Sequence, residues 1–371
     1  MTRRELRKLC NLEAIASSDN LFLAAAKARR GKSRRPDVED WSLRRETEIR
    51  LLREELLSGS YRPGPYHFFL IYEPKRREIA AAPFRDRVVH HALCNVLAPV
   101  LERRFIPRSF SCQVGKGTTA ARDCCRRLTN QFRYVLKCDV HKFFPSIDHE
   151  ILRGHLFEYI GDAGARNLID LILSSYETGS IIAPALFAGD DLFPAQARPR
   201  GVPIGNLTSQ LWGNFYLDGL DHWITEELRH GDYLRYTDDF LLFGNQKEEL
   251  WDLRCGIVAQ LADLRLRLSE PKSRLLTAGE GVPFCGFRFI PDQRPRILGA
   301  TKRRFENRRF RLYKEKEISK LGISVFSWYQ FSLEGNSQGL RKAYARWPMV
   351  ASLRRRQRRK RTGVAGRFLD Q

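Results

Sequence analysis

Residues 234–244 read LRYTDDFLLFG, and the adjacent carboxylates of Asp238 and Asp239, set between apolar and aromatic runs, restrict the fold more than any other stretch of the chain. The flanking runs predict two short strands joined by a tight turn. Asp tolerates the backbone angles of such turns, so turn chemistry alone is a sufficient reason for its presence.

A second segment adds a different reason. In YVLKCDVHKFFPSIDHEIL, residues 134–152, an extended strand turns Tyr134, Leu136 and Cys138 to one side and Val135, Lys137 and Asp139 to the other. Asp139 then stands at the carboxyl end of a strand, before a turn and a helix that carries Ile151, Leu152, His155, Leu156 and Tyr159. If this strand lies beside the hairpin, Asp139 and Asp238 converge. Carboxylates brought together without counter-charge repel, and their pKa values rise. A hard divalent cation removes that cost. Mg²⁺ favours one or two carboxylates completed by phosphate oxygens and water, and two such ions about 4 Å apart serve phosphoryl transfer by activating a 3′-hydroxyl and stabilising the leaving pyrophosphate.

Charge points to the substrate class. Lys and Arg number 65 against 43 Asp and Glu, a net charge of +22, which favours a polyanionic partner, with nucleic acid ahead of a membrane surface. No apolar run approaches the roughly 20 residues needed to span a bilayer, and the opening MTRRELRKLC leads into no signal-peptide stretch. At 371 residues, 43% hydrophobic and 29% charged, the chain is globular and long enough for two or three packed subdomains. Cys10, Cys94, Cys112, Cys124, Cys125, Cys138, Cys255 and Cys285 form no C-x-x-C pair, so they are expected to be buried thiols in a reducing cytoplasm rather than zinc ligands or disulfides.

Along the chain, residues 1–60 read as a basic helical extension with a charged interruption, AAAKARRGKSRRPD, at 24–37. HFFLIYEP and REIAAAPF predict two strands around a Pro-bearing turn, and DRVVHHALCNVLAPVLERRF an amphipathic helix with Val88, Val89, Ala92, Leu93, Val96, Leu97 and Leu101 at helical spacing. Alternating strands and helices in the central third argue for α+β or α/β layering. The Pro- and Gly-rich stretch 179–200 predicts an extended loop or a loose hairpin. The segment from Leu298 returns to a basic helix, and 351–371 is a cationic tail expected to be disordered.

With YTDD in a hydrophobic hairpin after a strand ending in Asp139 and followed by Phe143-Phe144, the chain resembles the reverse transcriptases. REIAAAPFRDRVVHHAL is similar to their fingers segment, GVPIGNLTSQLWGNFYL to motif B, LSEPKSRLL to motif D and VPFCGFRF to the primer-gripping strand turn, in the family's order, over about Tyr66 to Phe289. The resemblance implies an α+β right hand: fingers over 61–130, an antiparallel palm sheet backed by helices over 131–292 with a fingers insertion around 176–200, and a helical thumb over 293–350. Ile204-Gly205 and Ser209-Gln210 in motif B, KFFPSID and the late SVFSWYQFSLEGNSQGLRKAY resemble the reverse transcriptases of diversity-generating retroelements. That subfamily, of the group II intron-like lineage, implies error-prone copying of a template-repeat RNA into cDNA with a small basic accessory variability protein, an oligomer, as partner, in a bacterial, archaeal or phage-encoded context. A phage-defence reverse transcriptase making cDNA without gene diversification is the related alternative, and a basic RNA-binding scaffold the non-enzymatic one, against which the intact aspartates weigh.

Residue by residue, the resemblance implies that Asp139, Asp238, Asp239 and the Val140 carbonyl hold two Mg²⁺ ions, with Mn²⁺ as a substitute, and that Lys272 donates a proton to the leaving pyrophosphate. Lys75 and Arg77 would bind the dNTP triphosphate, and Phe144 would exclude a ribose 2′-hydroxyl. Gly201, Pro203, Ile204, Gly205, Ser209 and Gln210 would shape the pocket under the nascent base pair, with Ser209 and Gln210 opening a helix that carries Leu211, Phe215 and Leu220. Phe284, Cys285, Gly286 and Phe287 would grip the primer end. Arg87 reads equally as a structural ion-pair partner, and Gln113 stands where the family usually has Arg. His90 and His91 are expected to be satisfied, partly buried helix residues. GKGTT at 115–119 lacks the Ser or Thr that a phosphate loop needs after its Lys. The chain is also expected to have no room after the thumb for a nuclease or integrase domain.

Overall fold

The computed structural model describes residues 3–72, 76–178, 187 and 198–345. The chain forms two compact units: Met1–Ala121 with Leu136–Leu275, and Arg122–Val135 with the chain from Leu276 onward. Nine strands occur among the described residues: β1 (His67–Ile71), β2 (Arg77–Ala81), β3 (Tyr134–Asp139), β4 (Tyr233–Tyr236), β5 (Asp239–Gly244), β6 (Arg274–Thr277), β7 (Val282–Phe284), β8 (Phe287–Phe289) and β9 (Arg296–Ile297). They make a two-stranded ribbon β1-β2, a four-stranded sheet in the order β4-β5-β3-β6, and a three-stranded sheet β7-β8-β9. Helices segregated from antiparallel pairs are the mark of an α+β fold, as the sequence suggested.

In the first unit, helices cover most of residues 3–58. The helix Arg45–Ser58 stops at Gly59, whose φ of +73° only glycine adopts without penalty, and the Tyr61 amide closes the turn on the Glu55 carbonyl. Helix Ser18–Arg29 packs on helix Phe84–Leu101 and is pinned by Asn20, whose amide donates to the Ala92 carbonyl. The predicted charged interruption is therefore shorter than expected. Ala24, Ala25 and Ala28 are buried on that helix, and only the turn before Pro36 separates it from helix Pro36–Leu43. Apolar alanines facing a neighbouring helix outweigh the local density of Arg and Lys.

The four-stranded sheet is the core that carries the aspartates. Phe240, Leu241, Leu242 and Phe243 on β5 are all fully buried, so β5 is covered on both faces and reads as a continuous apolar run rather than an alternating one. Burying such side chains stabilises the fold by roughly 1.5–3 kcal/mol each. The hairpin β4-β5 is antiparallel with Tyr236 opposite Asp239. Its tip is Thr237-Asp238, and Asp239 is the first residue of β5 rather than part of the turn.

The second unit is built on helices Gly299–Lys314 and Ile318–Leu333, which share a core of Phe305, Leu312, Leu321, Val325 and Trp328. The Phe305 and Trp328 rings stack 4.4 Å apart. Phe287 of β8 lies 4.5 Å from the Phe331 ring, and Arg122 stacks on both while pairing with Glu334.

Other expectations need correction. Cys112 and Cys255 are exposed and Cys285 is half-buried, so only five of the eight thiols are core residues, and none is in a disulfide. Tyr159 lies past the end of helix His149–Phe157, and the turn before that helix contains a short helix, Phe143–Ser146. The helix bearing Ser209 and Gln210 begins two residues earlier, at Leu207. Leu220 belongs to the separate helix Asp218–His222, because the chain breaks at Leu217.

Candidate active site

Asp139 ends β3, and its backbone is fixed on both sides. The Ser269 amide donates to its carbonyl (2.7 Å), its own amide donates to the Ser273 hydroxyl (3.4 Å), and the next amide, of Val140, donates to the Asp238 carbonyl (3.2 Å). The hairpin tip is thereby tied to the end of β3, which brings two aspartates 99 positions apart in sequence into one electrostatic neighbourhood. Segment 267–273 closes the third side, with the His141 amide bonded to the Arg267 carbonyl.

The carboxylates are not equivalent. Asp238 is pushed up to about 6, first by burial and then by the nearby charge of Asp139. Asp239 is also raised by burial, against the pull of Lys137, whose ammonium contacts both of its oxygens at 2.7 and 2.8 Å. Asp139 pairs with the Lys272 ammonium. The two adjacent aspartates thus diverge: Asp239 is neutralised by a cation on the neighbouring strand, while Asp238 is left against Asp139. Lys137 was missed from the sequence as part of the site, although its place two residues before Asp139, on the same strand face, is the signal that would have identified it.

Among the described residues no group of three His, Cys, Asp or Glu side chains forms a complete ligand set. Two hard carboxylates, one with its proton affinity raised by burial and then by the other, fit a cation that takes its remaining ligands from phosphate and water. The tip also titrates with a definite sign. The folded protein holds the Asp238 proton more tightly than the unfolded chain does. The contribution of Asp238 to stability is therefore fully present below the ordinary carboxyl value of 3.8 and is lost as pH rises through about 6. Asp238→Asn is expected to raise thermal stability in chelator at pH 7.5, by about 2 kcal/mol, and to show a smaller stabilisation by added Mg²⁺ than the wild type. Melting curves with and without Mg²⁺ check both, and equal Mg²⁺ shifts in the two proteins would count against an ion at Asp238.

Around this centre, Phe143 is buried and Phe144 is partly exposed, with both rings facing the close approach of Gly213. The Phe144 carbonyl accepts from the Val202 amide (3.0 Å), the Gly201 amide donates to the Ile147 carbonyl (2.7 Å), and the buried His149 ring bonds the Gly201 carbonyl (2.6 Å). Gly201 has φ +94°, and a side chain there would run into Thr178 and the Pro145 carbonyl. Gly205, at φ +119°, leaves just enough room for Ile79 of β2. Pro203 is buried, Ile204 is half-exposed, Ser209 is buried and Gln210 is exposed.

Lys75 lies outside the described residues, and Arg77 is exposed at the start of β2. Arg87 is structural, and among the described residues it makes no ion pair: it donates to the Ala28 carbonyl (2.9 Å) and stacks on Phe84. Gln113 donates to the Ser109 carbonyl (2.9 Å). His90 and His91 are held neutral by burial, at about 3 and about 4, and among the described residues neither buried Nδ1 has a hydrogen-bond partner, contrary to the expectation that both are satisfied. In the second unit, Phe284 and Phe287 are buried and Cys285-Gly286 form a left-handed turn between β7 and β8. A side chain at Gly286 would meet the Phe331 ring.

An antiparallel hairpin presenting paired aspartates beside a strand that ends in a third is compatible with a nucleotidyl-transfer polymerase, and family membership makes the class specific. The chain belongs to the reverse transcriptase (RNA-dependent DNA polymerase) family, whose model matches residues 73–324. The activity of the class is RNA-directed DNA synthesis, with template RNA and nucleic-acid substrates. It is 26% identical to protein YkfC of Escherichia coli (strain K12), over 66% of this chain and 71% of YkfC. It is 24% identical to the group II intron-encoded protein LtrA of Lactococcus lactis subsp. cremoris, over 49% of this chain and 29% of LtrA. A 23% identity to the COX1/OXI3 intron 1 protein of Saccharomyces cerevisiae covers 47% and 20%. The chain thus spans less than a third of either intron protein. Among the described residues no helix is long and apolar enough to cross a membrane.

Proposed function

We propose that this chain copies a template-repeat RNA into cDNA with frequent errors, as the polymerase of a diversity-generating retroelement. The observation that carries the catalytic part is the tie between the end of β3 and the hairpin tip, which sets Asp139 against Asp238. In this reading Asp139, Asp238 and the Val140 carbonyl hold the Mg²⁺ ions, which supply Lewis-acid stabilisation of the attacking and leaving oxygens. Asp239, neutralised by Lys137, supports the site, and Lys272 passes from Asp139 to the leaving pyrophosphate as proton donor. Arg77 and Lys75 bind the triphosphate. The subdomains are fingers over 61–130, palm over 131–292 and thumb over 293–350, with Phe284, Cys285, Gly286 and Phe287 gripping the primer, and a small basic accessory protein serves as partner.

The retroelement part rests on motif B. Ile204 puts an apolar, half-exposed side chain beside the left-handed Gly205, where a Gln would supply hydrogen bonds to the nascent pair. A pocket without those bonds discriminates less, because mispairs lose nothing by failing to make them. Ile204→Gln is expected to lower misincorporation several-fold, measured by sequencing products of Mg²⁺-dependent extension of a DNA primer on RNA. Unchanged error rates would refute this role of Ile204.

A second reading is favoured by the relatives: two of those named are intron proteins, consistent with a group II-like enzyme that makes cDNA without diversifying a gene. The same sequenced products decide between them. Errors concentrated opposite template adenine support the retroelement enzyme, and uniformly accurate cDNA supports the alternative.

A further inference from the structure

Behind the hairpin tip lies a buried ion pair for which the reaction chemistry has no use. Arg235 of β4 and Asp221 of helix Asp218–His222 both have 0% side-chain exposure. The guanidinium meets the carboxylate through Nε (2.7 Å) and again through Nη2, and the Tyr233 hydroxyl donates to the same carboxylate (2.7 Å). An ion pair this deep is no more stabilising than well-packed apolar residues of similar volume, so stability alone does not account for it.

The remaining donors of Arg235 account for it better. Nη1 donates to the Thr237 carbonyl (3.0 Å), and Nη2 to the Asn214 carbonyl (3.1 Å) on helix Leu207–Tyr216. Thr237 immediately precedes Asp238 and has φ +59°, a left-handed conformation that β-branched residues rarely adopt. Its hydroxyl donates to the Ser111 hydroxyl (2.7 Å), and the Ser111 carbonyl accepts from the Asn214 side chain (2.6 Å). The strained residue is thus held by its carbonyl from one side and by its hydroxyl from the other.

We propose that Arg235 is a positioning residue. Its fork, oriented by Asp221, holds Thr237 left-handed and thereby sets where the Asp238 carboxylate stands relative to Asp139. The inference rests on the assignment of Asp238 to the catalytic centre. Arg235 itself touches no reacting atom, and its charge is already neutralised by Asp221, so it acts through geometry rather than through its field. Lysine cannot replace it, because a point charge on a flexible stem cannot satisfy the carboxylate and two carbonyls at once.

The test compares wild type, Arg235→Lys, Thr237→Gly and the double variant. Primer extension on RNA gives kcat, and amide hydrogen exchange of the free enzyme is read on peptides covering 234–240. Arg235→Lys is expected to lower kcat about tenfold or more, the size of a lost charged hydrogen bond, and to speed exchange in 234–240 only. Glycine takes a positive φ without steric penalty. In the Thr237→Gly background the turn therefore depends less on the clamp, and the loss caused by Arg235→Lys shrinks several-fold. An equal loss in both backgrounds, or unchanged exchange in 234–240, overturns the proposal. If Arg235→Lys does not fold, Asp221→Asn, which leaves the fork without its orienting carboxylate, takes its place: faster exchange confined to 234–240 supports the clamp, and unchanged exchange overturns it. A wild type that extends no primer, or an Asp238→Ala variant that still does, defeats the polymerase assignment instead, while the exchange measurements continue to report on the turn.

Discussion

Asp238→Ala is expected to reduce Mg²⁺-dependent primer extension on RNA by roughly a thousandfold or more, the upper range for removing one preorganised electrostatic group from an active site. The argument is local. The tip residue is fixed to β3 through the Val140 amide, its carboxyl is raised by burial and by Asp139, and no cation on the neighbouring strand satisfies it as Lys137 satisfies Asp239. Loss of the carboxylate leaves Asp139 paired with Lys272 and removes one of the two carboxylates proposed to face a divalent ion. Because the same substitution removes a repulsion, the variant folds at least as well as the wild type, so an inactive protein with an intact melting transition is the expected outcome. Extension within tenfold of wild type would exclude Asp238 as a catalytic group.

Phe144→Val is expected to admit ribonucleotides, lowering the preference for dNTP over rNTP by roughly one to two orders of magnitude, the discrimination available from filling or emptying a small apolar volume. The two phenylalanines of this segment separate the effect from packing. Phe143 is buried at 2% exposure, and its truncation to Ala should cost about 3–5 kcal/mol of stability. Phe144 is half-exposed, and the backbone contact it makes, its carbonyl to the Val202 amide, survives any side-chain change. Phe144→Val should therefore change sugar selection with little change in melting temperature. Single-turnover incorporation of dNTP against rNTP measures it, and an unchanged ratio would return Phe144 to the core.

Much of this was legible in residue order because it depends on local periodicity. Alternation in 134–139 placed Asp139 at a strand end, the apolar runs around 238–239 predicted a hairpin, and the spacing from Val88 to Leu101 predicted a helix. All three occur. The misses share one cause. Leu220 was assigned to the preceding helix because periodicity does not register a break of one residue at Leu217. The density of Arg and Lys near residue 30 concealed the last turns of a helix whose buried face is Leu21 with Ala24, Ala25 and Ala28. Arg87 looked like an ion-pair partner, whereas the acceptor it uses is a backbone carbonyl 59 residues away.

What the sequence determined by itself is the inventory: which segments are strands, which carboxylates stand at their ends, and a cationic surplus suited to a polyanion. Only the tertiary structure decided how those carboxylates are divided, with Lys137 on Asp239, Lys272 on Asp139 and a buried Arg235 under the turn of Asp238. Strand periodicity acts between neighbouring residues, whereas an ion pair forms wherever packing brings two charges to contact distance in a medium that screens them poorly.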